Sequence, residues 1–189
     1  MAPWGGKRPL YGTNPIAFAT PRRGTDPLVI DLSLSKVARG KVMLAKKAGE
    51  PIPEGWALDI EGRPTTDPDA AIAGSMVPAG DAKGASLALM VELLTAGLTG
   101  SHFGFQASSF FEPEGEAPSV GHLMLAFDPA HFSDGYLEHI EALFQAMLEQ
   151  EGVRLPGTRR HALRRERGES LELPEAVVDE LRAYATSRV

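Results

Sequence analysis

Residues 12–33 read GTNPIAFATPRRGTDPLVIDLS, and this stretch decides the fold. It holds two short apolar runs, residues 16–19 and 28–32, on either side of a turn-rich insert. Apolar runs this short, bounded by proline and glycine, are typical of buried β-strands rather than helices. The second run contains Asp31, and an acid among aliphatic residues is costly to bury unless something pairs with it. One interpretation is that Asp31 caps the helix that follows the strand.

The composition is that of an ordinary globular protein, with 189 residues of which 43% are hydrophobic and 23% charged. A formal net charge of -6 argues against wholesale binding of nucleic acid. The chain has no cysteine, which excludes disulfides, thiolate metal sites and cysteine nucleophiles. No secretory signal follows Met1, and the longest apolar run, residues 87–98, is too short to span a bilayer. We therefore expect a cytoplasmic protein that binds neither nucleic acid nor membranes.

Helical signals occur in five segments, which are residues 36–47, 69–73, 85–98, 134–150 and 174–184. Ser33 or Ser35 is expected to cap the first helix, which should end at Gly49. Gly40 lies inside that helix and costs stability unless something packs closely there. The third segment is apolar almost all round, so we expect it to be the most buried helix. Residues 152–168, with six arginines, are expected to be irregular.

A third strand is expected at residues 120–127, in one central sheet with the first two. The predicted fold class is α+β (mixed α/β), with a mixed, largely antiparallel sheet covered by helices. A long loop, residues 100–118, carries four aromatic side chains, Phe103, Phe105, Phe110 and Phe111. They either form a partner surface or cover the core beneath the loop, and the sequence leaves both open.

Familiar catalytic motifs are missing from the sequence. No G-x-G-x-x-G follows a strand, there is no P-loop, and the five histidines lack zinc-site spacing, so no metal is expected. Two glycine-containing turns remain, at residues 78–84 with Lys83 and at residues 155–160. The first either holds a phosphate or carboxylate on helix amides or is an ordinary helix start. The arginines near the second either clamp an anionic phosphate or form a solvated charged segment.

Several motifs taken together are more specific. They are Gly12-Thr13-Asn14-Pro15, Val29-Ile30-Asp31-Leu32-Ser33, Ala38-Arg39-Gly40-Lys41, Ile52-Pro53-Glu54-Gly55-Trp56-Ala57-Leu58-Asp59, Pro64-Thr65-Thr66-Asp67-Pro68, Lys83-Gly84 with Leu87-Ala88-Leu89-Met90-Val91-Glu92, Gly121-His122 and Leu155-Pro156-Gly157. With these motifs in this order and spacing, nearly the whole chain resembles the type 2 malate/L-lactate dehydrogenase family. These enzymes are NAD(P)-dependent oxidoreductases unrelated to the Rossmann-type lactate and malate dehydrogenases.

The resemblance implies a non-Rossmann dinucleotide-binding domain at residues 1–150, with NAD or NADP as the cofactor. The implied contacts to the cofactor are Pro27, Val29, Ile30, Ser33, Asp81, Ala82, Lys83, Pro156, Gly157, Thr158, Arg159 and Arg160. Asp31 resembles the family carboxylate that partners the catalytic histidine, orienting the imidazole and favouring its protonated form. The implied reaction interconverts a small 2-oxo acid, or a related imine, and the 2-hydroxy or amino acid, in a homodimer with sites near the subunit interface.

In that family the catalytic histidine, beside a serine, lies ahead of the segment that matches Pro3-Trp4-Gly5. None of the five histidines of this chain has that context. The resemblance therefore implies a C-terminal portion, truncated at the N-terminus and inactive by itself. Residues 151–189, a basic segment and a helix, would pack on the missing part. The alternative is a truncated, non-catalytic homologue that acts as a binding or interaction protein.

Overall fold

The computed structural model describes residues 1–110 and 115–186. Within these residues the strands are Ile16–Thr20 (β1), Leu28–Leu32 (β2), Ala57–Leu58 (β3), Pro64–Thr65 (β4) and Ser75–Met76 (β5). The helices are Arg39–Ala48 (α1), Pro68–Ala73 (α2), Asp81–Glu92 (α3), Tyr136–Leu148 (α4), Thr158–Arg167 (α5) and Glu175–Thr186 (α6). A π-helical turn, Leu93–Gly97, continues α3, and a short 3-10 helix lies at Pro129–His131.

The chain divides into two compact units. The first holds the described residues of Met1–Ala19 and Val29–Tyr136. The second holds those of Thr20–Leu28 and Leu137–Val189. In the described ranges, no helix combines the length and the apolar character that a membrane crossing requires.

The prediction of a single central sheet is wrong, because the strands of the described residues form two small sheets. β1 pairs with β2, and β3 is the central strand of an antiparallel sheet in the order β4-β3-β5. Ala57 in β3 lies opposite Thr65 on one side and Met76 on the other. The strands predicted at residues 16–19 and 28–32 are confirmed, as is the α+β class with antiparallel pairing. β3, β4 and β5 escape prediction because two residues are too few to show an alternating pattern.

The predicted strand at residues 120–127 is wrong. This segment forms no strand, and its side chains are exposed, Met124 by 92%. A strand needs a neighbour to satisfy its backbone N–H and C=O groups. Among residues 1–110 and 115–186, neither sheet includes this segment. Residues 120–127 therefore have the sequence of a strand, but no strand of the described residues pairs with them.

The first helix begins later than the sequence predicts. α1 begins at Arg39 rather than at residue 36, and Ala38, not a serine, occupies its N-cap. The hydroxyl of Ser35 instead donates to the carbonyl of Val37 at 2.8 Å, in a turn that precedes the helix. The predicted end is confirmed, because Gly49 adopts the left-handed conformation, φ 70°, that terminates the helix.

The expectation that the large apolar side chains of α3 are buried is wrong. Its buried face consists of Gly84, Ala85, Ala88 and Glu92. The large aliphatic residues of the helix and the following π-turn are exposed, Leu93 by 56%. Gly84 packs closely on the preceding turn, since a Cβ there would lie 1.9 Å from the carbonyl oxygen of Ala79. The small residues face the core, which leaves the leucines on the outer face.

The second unit is helical. The helices predicted at residues 134–150 and 174–184 are confirmed as α4 and α6, and Phe144 of α4 is buried. The expectation that residues 152–168 are irregular is wrong, because Thr158–Arg167 forms α5. Its sequence, TRRHALRRER, is rich in good helix formers, and three arginines in the last turn complement the helix dipole.

The aromatic loop after α3 is largely exposed. The rings of Phe103 and Phe105 stack with their centroids 6.2 Å apart, and Phe105 and Phe110 are exposed. Phe111, the fourth predicted aromatic of the loop, lies outside the described residues. The exposure of Phe105 and Phe110 favours the partner surface over the cover for the core.

Candidate functional site

In the first unit, backbone hydrogen bonds join the end of β2 to the turn before α3. The N–H of Leu34 donates to the carbonyl of Thr13 at 2.7 Å, and the carbonyl of Leu34 accepts from the N–H of Ala79 at 2.8 Å. The N–H of Lys36 donates to the carbonyl of Val77 at 2.8 Å. Two of the sequence-predicted site segments therefore meet here. They carry Val29, Ile30, Asp31 and Ser33 on one side and Asp81, Ala82 and Lys83 on the other.

Asp31 lies in β2 and its residue is exposed. The interpretation of Asp31 as a helix cap is wrong, because α1 begins only at Arg39 and its N-cap makes no side-chain hydrogen bond. Beyond the strand, the hydroxyl groups of Ser33 and Ser35 lie 3.0 Å apart. Asp31 is thus a solvent-exposed acid one residue before the end of β2.

The N-terminus of α3 is preceded by a left-handed turn. Gly80 has φ 70° and Asp81 has φ 56°, and no side chain caps the helix. A Cβ on Gly80 would meet no atom within 4 Å, so the space beside it is open. Asp81, Ala82 and Lys83 are all exposed. Uncapped amides at a helix N-terminus attract anions, and the Lys83 ammonium offsets the charge of Asp81.

In the second unit, a cavity of about 120 Å³ lies between residues 22–28 and the start of α5. Its lining includes Pro27, Pro156 and Thr158, which the sequence assigns to the site. The ring Nε2 of His161 lies 3.1 Å from the carbonyl oxygen of Pro27. Arg165 forms an ion pair with Asp26 at the same cavity. A space of this size fits one small group of a ligand, such as a phosphate, rather than a whole dinucleotide.

The N-terminus of α5 resembles that of α3. Gly157 is left-handed, φ 84°, and no side chain caps the helix. The hydroxyl of Thr158 donates to the carbonyl of Leu155 at 2.8 Å rather than to the helix amides. Arg159 and Arg160, the next two residues, are exposed. This helix start therefore has no side-chain cap and carries two arginines in its first turn, a combination that suits an anion.

A partly buried arginine contact holds residues 20–28, which carry Pro27, against α4. The Arg22 guanidinium donates to both carboxylate oxygens of Glu141 at 2.7 Å, and it lies 5.0 Å above the ring of Phe144. Hydrogen bonding from Arg22 lowers the pKa of Glu141 and raises that of Arg22. The pair is not predictable from local sequence, because Arg22 and Glu141 lie 119 residues apart in the chain.

In the first unit the acid that is buried is Glu92 rather than Asp31, which local sequence does not predict. Glu92 is 5% exposed. Its Oε1 accepts from the N–H of Gly12 at 3.0 Å and from Nδ2 of Asn14 at 3.1 Å, and its Oε2 accepts from the N–H of Gly104 at 3.2 Å. One feature of the sequence does point to Glu92, since it is an acid inside an apolar helix. A buried acid needs hydrogen-bond or charge partners.

The Met1 amine interacts electrostatically with the Glu92 carboxylate. Burial lowers the pKa of the Met1 amine to about 6, and the negative charge of Glu92 acts against this shift. The amine donates to the carbonyl of Tyr11. No group of three or more His, Cys, Asp or Glu side chains suited to a metal ion occurs in the part of the chain that the structure describes.

A family model described as malate/L-lactate dehydrogenase matches residues 1–182. The chain belongs to this family. The resemblance that the motifs indicated is therefore confirmed.

Curated members of the malate/L-lactate dehydrogenase family match along nearly the whole chain. It is 44% identical over 187 residues to the Δ1-pyrroline-2-carboxylate reductase of Pseudomonas fluorescens, covering 96% of this chain and 55% of that one. It is 45% identical over 186 residues to Δ1-pyrroline-2-carboxylate reductase 2 of Burkholderia multivorans, covering 96% and 54%. The chain thus spans about half the length of the curated relatives it matches.

Solved structures of family members share the fold. The Δ1-piperideine-2-carboxylate reductase of Pseudomonas syringae superposes with a TM-score of 0.87 at 36% identity, over 96% of this chain and 56% of that one. The sulfolactate dehydrogenase of Methanocaldococcus jannaschii does so with a TM-score of 0.86 at 31% identity, over 99% and 56%.

Proposed function

We propose that the chain is part of an NAD(P)H-dependent oxidoreductase that reduces a small 2-oxo acid or a related cyclic imine acid. The observation that carries this proposal is the identity of 44–45% with Δ1-pyrroline-2-carboxylate reductases along nearly the whole chain. Within the range of 2-oxo and imine acids, these relatives favour a cyclic imine whose carboxylate adjoins the C=N carbon. The product would be the corresponding cyclic amino acid.

In the first unit, the nucleotide would contact the end of β2 and the start of α3. Val29, Ile30 and Ser33 would contribute from β2 and its exit, and Asp81, Ala82 and Lys83 from the helix start. The fit to an anionic group rests on two observations: the uncapped amides of α3 and the open space beside Gly80. The Lys83 ammonium would add one charge-assisted contact to a phosphate oxygen.

In the second unit, the nucleotide would contact the cavity and the start of α5. The residues assigned there are Pro27, Pro156, Gly157, Thr158, Arg159 and Arg160. The cavity brings Pro27 together with Pro156 and Thr158, and its volume of about 120 Å³ suits one phosphate-sized group. The uncapped amides after Gly157 and the Arg159 and Arg160 guanidinium groups would bind that group's negative charge.

Asp31 would act on the proton rather than on the nucleotide. Bound NAD(P)H supplies the hydride to the C=N or C=O carbon. The nitrogen or oxygen of that bond must gain a proton, for which an imidazolium is a suitable acid at neutral pH. The accessible carboxylate of Asp31 at the end of β2 would orient this imidazole and stabilise its charged form. The imidazole itself is implied by the family resemblance.

The organisation of the enzyme belongs to the same proposal. Residues 1–150 would form the nucleotide-binding domain, and residues 151–189 would pack on a further part of the enzyme. A homodimer with sites near the subunit interface is proposed, and the exposed leucines after α3 support a covered surface there.

Nucleotide oxidation assays test the proposal. The chain is mixed with NADH or NADPH and with Δ1-pyrroline-2-carboxylate, Δ1-piperideine-2-carboxylate, pyruvate or oxaloacetate, and nucleotide binding is measured in parallel. Turnover that is fastest with a cyclic imine supports the full proposal. Nucleotide binding without turnover of any of these acids is the result expected of this chain by itself, because none of its five histidines has the serine-histidine context of the family. Absence of both contradicts the proposal.

A further inference from the structure

The buried carboxylate of Glu92 accepts two hydrogen bonds from the loop before β1. Oε1 of Glu92 accepts from the N–H of Gly12 at 3.0 Å and from the side-chain amide of Asn14 at 3.1 Å. Nδ2 of Asn14 also donates to the carbonyl of Ala88 at 2.8 Å. Asn14 has φ 43°, a left-handed conformation that Asn tolerates better than most residues. Thr13 is therefore held between two anchored residues.

The carbonyl of Thr13 connects this anchored loop to the end of β2, which belongs to the proposed site. It accepts from the N–H of Leu34 at 2.7 Å, and the carbonyl of Leu34 accepts from the N–H of Ala79 at 2.8 Å. Leu34 directly follows Ser33, and Ala79 precedes the turn at Gly80. Hydrogen bonds, joined by the backbone of residues 12–14 and of Leu34, thus connect Glu92 to the end of β2 and to Ala79 before α3.

The same carboxylate also holds the aromatic loop. Oε2 of Glu92 accepts from the N–H of Gly104 at 3.2 Å. A Cβ on Gly104 would lie 2.2 Å from the nitrogen of Gly12 and 2.9 Å from Oε1 of Glu92, so the two loops close tightly around the carboxylate. Glu92 is the last residue of α3 before the π-turn Leu93–Gly97, and π-turns are enriched at functional sites.

We propose that Glu92 is a positioning residue, which sets the end of β2 and the turn before α3 in one arrangement. The role assigned to that arrangement rests on the proposed function. The carboxylate has two oxygens that only accept hydrogen bonds, and all three groups facing it are N–H donors. A glutamine amide presents an NH2 in place of one oxygen, so it sets donor against donor at Gly104 or at the Gly12 loop.

Amide hydrogen exchange followed by NMR tests the inference on the chain as it is. Glu92→Gln is compared with Glu54→Gln, a control at an exposed acid of the same unit. Loss of hydrogen bonds to a buried carboxylate should speed exchange about tenfold or more at Gly12 and Gly104. If Glu92 positions the site, the same acceleration reaches the amides of Leu34 and Ala79.

Amides away from these hydrogen bonds separate positioning from general loss of stability. Those of Ala71 and Gly74, in α2 and its end, should keep their rates in Glu92→Gln. Acceleration that stops at Gly12 and Gly104, or that includes Ala71 and Gly74, overturns the inference. Asn14→Gly permits the left-handed backbone but removes one hydrogen bond to Glu92. It should speed exchange at Leu34 and Ala79 and not at Ala71 and Gly74, and it serves if Glu92→Gln does not fold.

Nucleotide binding gives the second readout. Glu92→Gln should raise the Kd of NADPH or NADH, whichever binds more tightly, about tenfold, while Glu54→Gln leaves it unchanged. Equal Kd values in both variants, in a chain that binds the nucleotide, also overturn the inference. If the unsubstituted chain binds neither nucleotide, the proposed function fails, and the exchange pattern alone decides whether Glu92 sets the arrangement.

Discussion

The carbonyl of Leu34 accepts a hydrogen bond of 2.8 Å from the N–H of Ala79. Leu34 follows the strand that carries Asp31, and Ala79 precedes the helix that carries Lys83. This backbone contact, together with the one from the N–H of Lys36 to the carbonyl of Val77, therefore links the segment assigned to proton delivery with the segment assigned to nucleotide phosphate. Substitutions at the two segments should therefore have different effects. Those at Asp31 should lower turnover, and those at Lys83 should weaken nucleotide binding.

Asp31→Asn should separate catalysis from binding in the catalytically competent enzyme. We expect the turnover rate to fall by about two to four orders of magnitude, because the neutral amide cannot stabilise a protonated imidazole. The Kd for the nucleotide should stay within about twofold, since the carboxylate acts on the proton. Steady-state kinetics and equilibrium binding measure the two effects. Asp134→Asn, at an exposed acid before α4, is the matched control, and unchanged turnover in Asp31→Asn removes its catalytic role.

The Arg22–Glu141 pair should make the second unit sensitive to acid. Hydrogen bonding from Arg22 lowers the pKa of Glu141 below 4.5, its ordinary value. The stabilisation is therefore fully present above that value and is lost as the pH falls through the lowered pKa of the folded state. Urea unfolding between neutral pH and the acid range, followed by helical circular dichroism, should show this loss. Glu141→Gln should flatten it, and an unchanged acid profile in this variant would argue against the pair.

Gly40→Ala should stabilise α1. Nothing lies within 4 Å of a Cβ built at Gly40, and its backbone has no positive φ. Alanine removes conformational freedom from the unfolded chain and favours the helix, for a gain of about 0.5–1 kcal/mol. Gly49→Ala is the opposed control, because φ is 70° there and alanine should cost about 1 kcal/mol. Thermal unfolding of both variants checks the signs, and a destabilised Gly40→Ala would contradict this account of the helix.

The exposed apolar face of the first unit should make the chain self-associate. Leu98 is 69% exposed and Met124 is 92% exposed, and a Cβ on Gly121 would lie 2.6 Å from Oγ1 of Thr99, so their two segments adjoin. Contiguous apolar surface of this kind finds a partner at high concentration. Light scattering should show a dimer or larger species that weakens in the Leu98→Lys and Met124→Lys variants. A monodisperse monomer at high concentration contradicts the expectation.

Local signals in the sequence predict much of the fold. The proline and glycine around residues 16–19 and 28–32 mark β1 and β2. Asp67, which accepts from the N–H of Asp69 at 2.9 Å, marks the start of α2, and Gly49 marks the end of α1. These features depend on residues within one or two turns of each other, so one sequence is enough to identify them.

Features that depend on distant partners are not predictable in this way. Residues 120–127 have the sequence of a strand, but pairing requires a neighbour that local pattern does not specify. The outward leucines of α3 do not follow from periodicity, because the helix is apolar almost all round and only contacts outside the helix decide which face is buried. Asp31 and Glu92 are both acids among apolar residues, and only the three N–H donors supplied by distant loops make Glu92 the buried one.

Isothermal titration of the chain with NADPH and NADH measures nucleotide binding itself, and the residues assigned to the nucleotide all lie within this chain. We expect saturable binding of at least one nucleotide, about tenfold weaker in Lys83→Ala and unchanged in Lys47→Ala, a control at the exposed end of α1. Absence of binding to both nucleotides at millimolar concentration, or equal affinity in the two variants, would contradict this expectation.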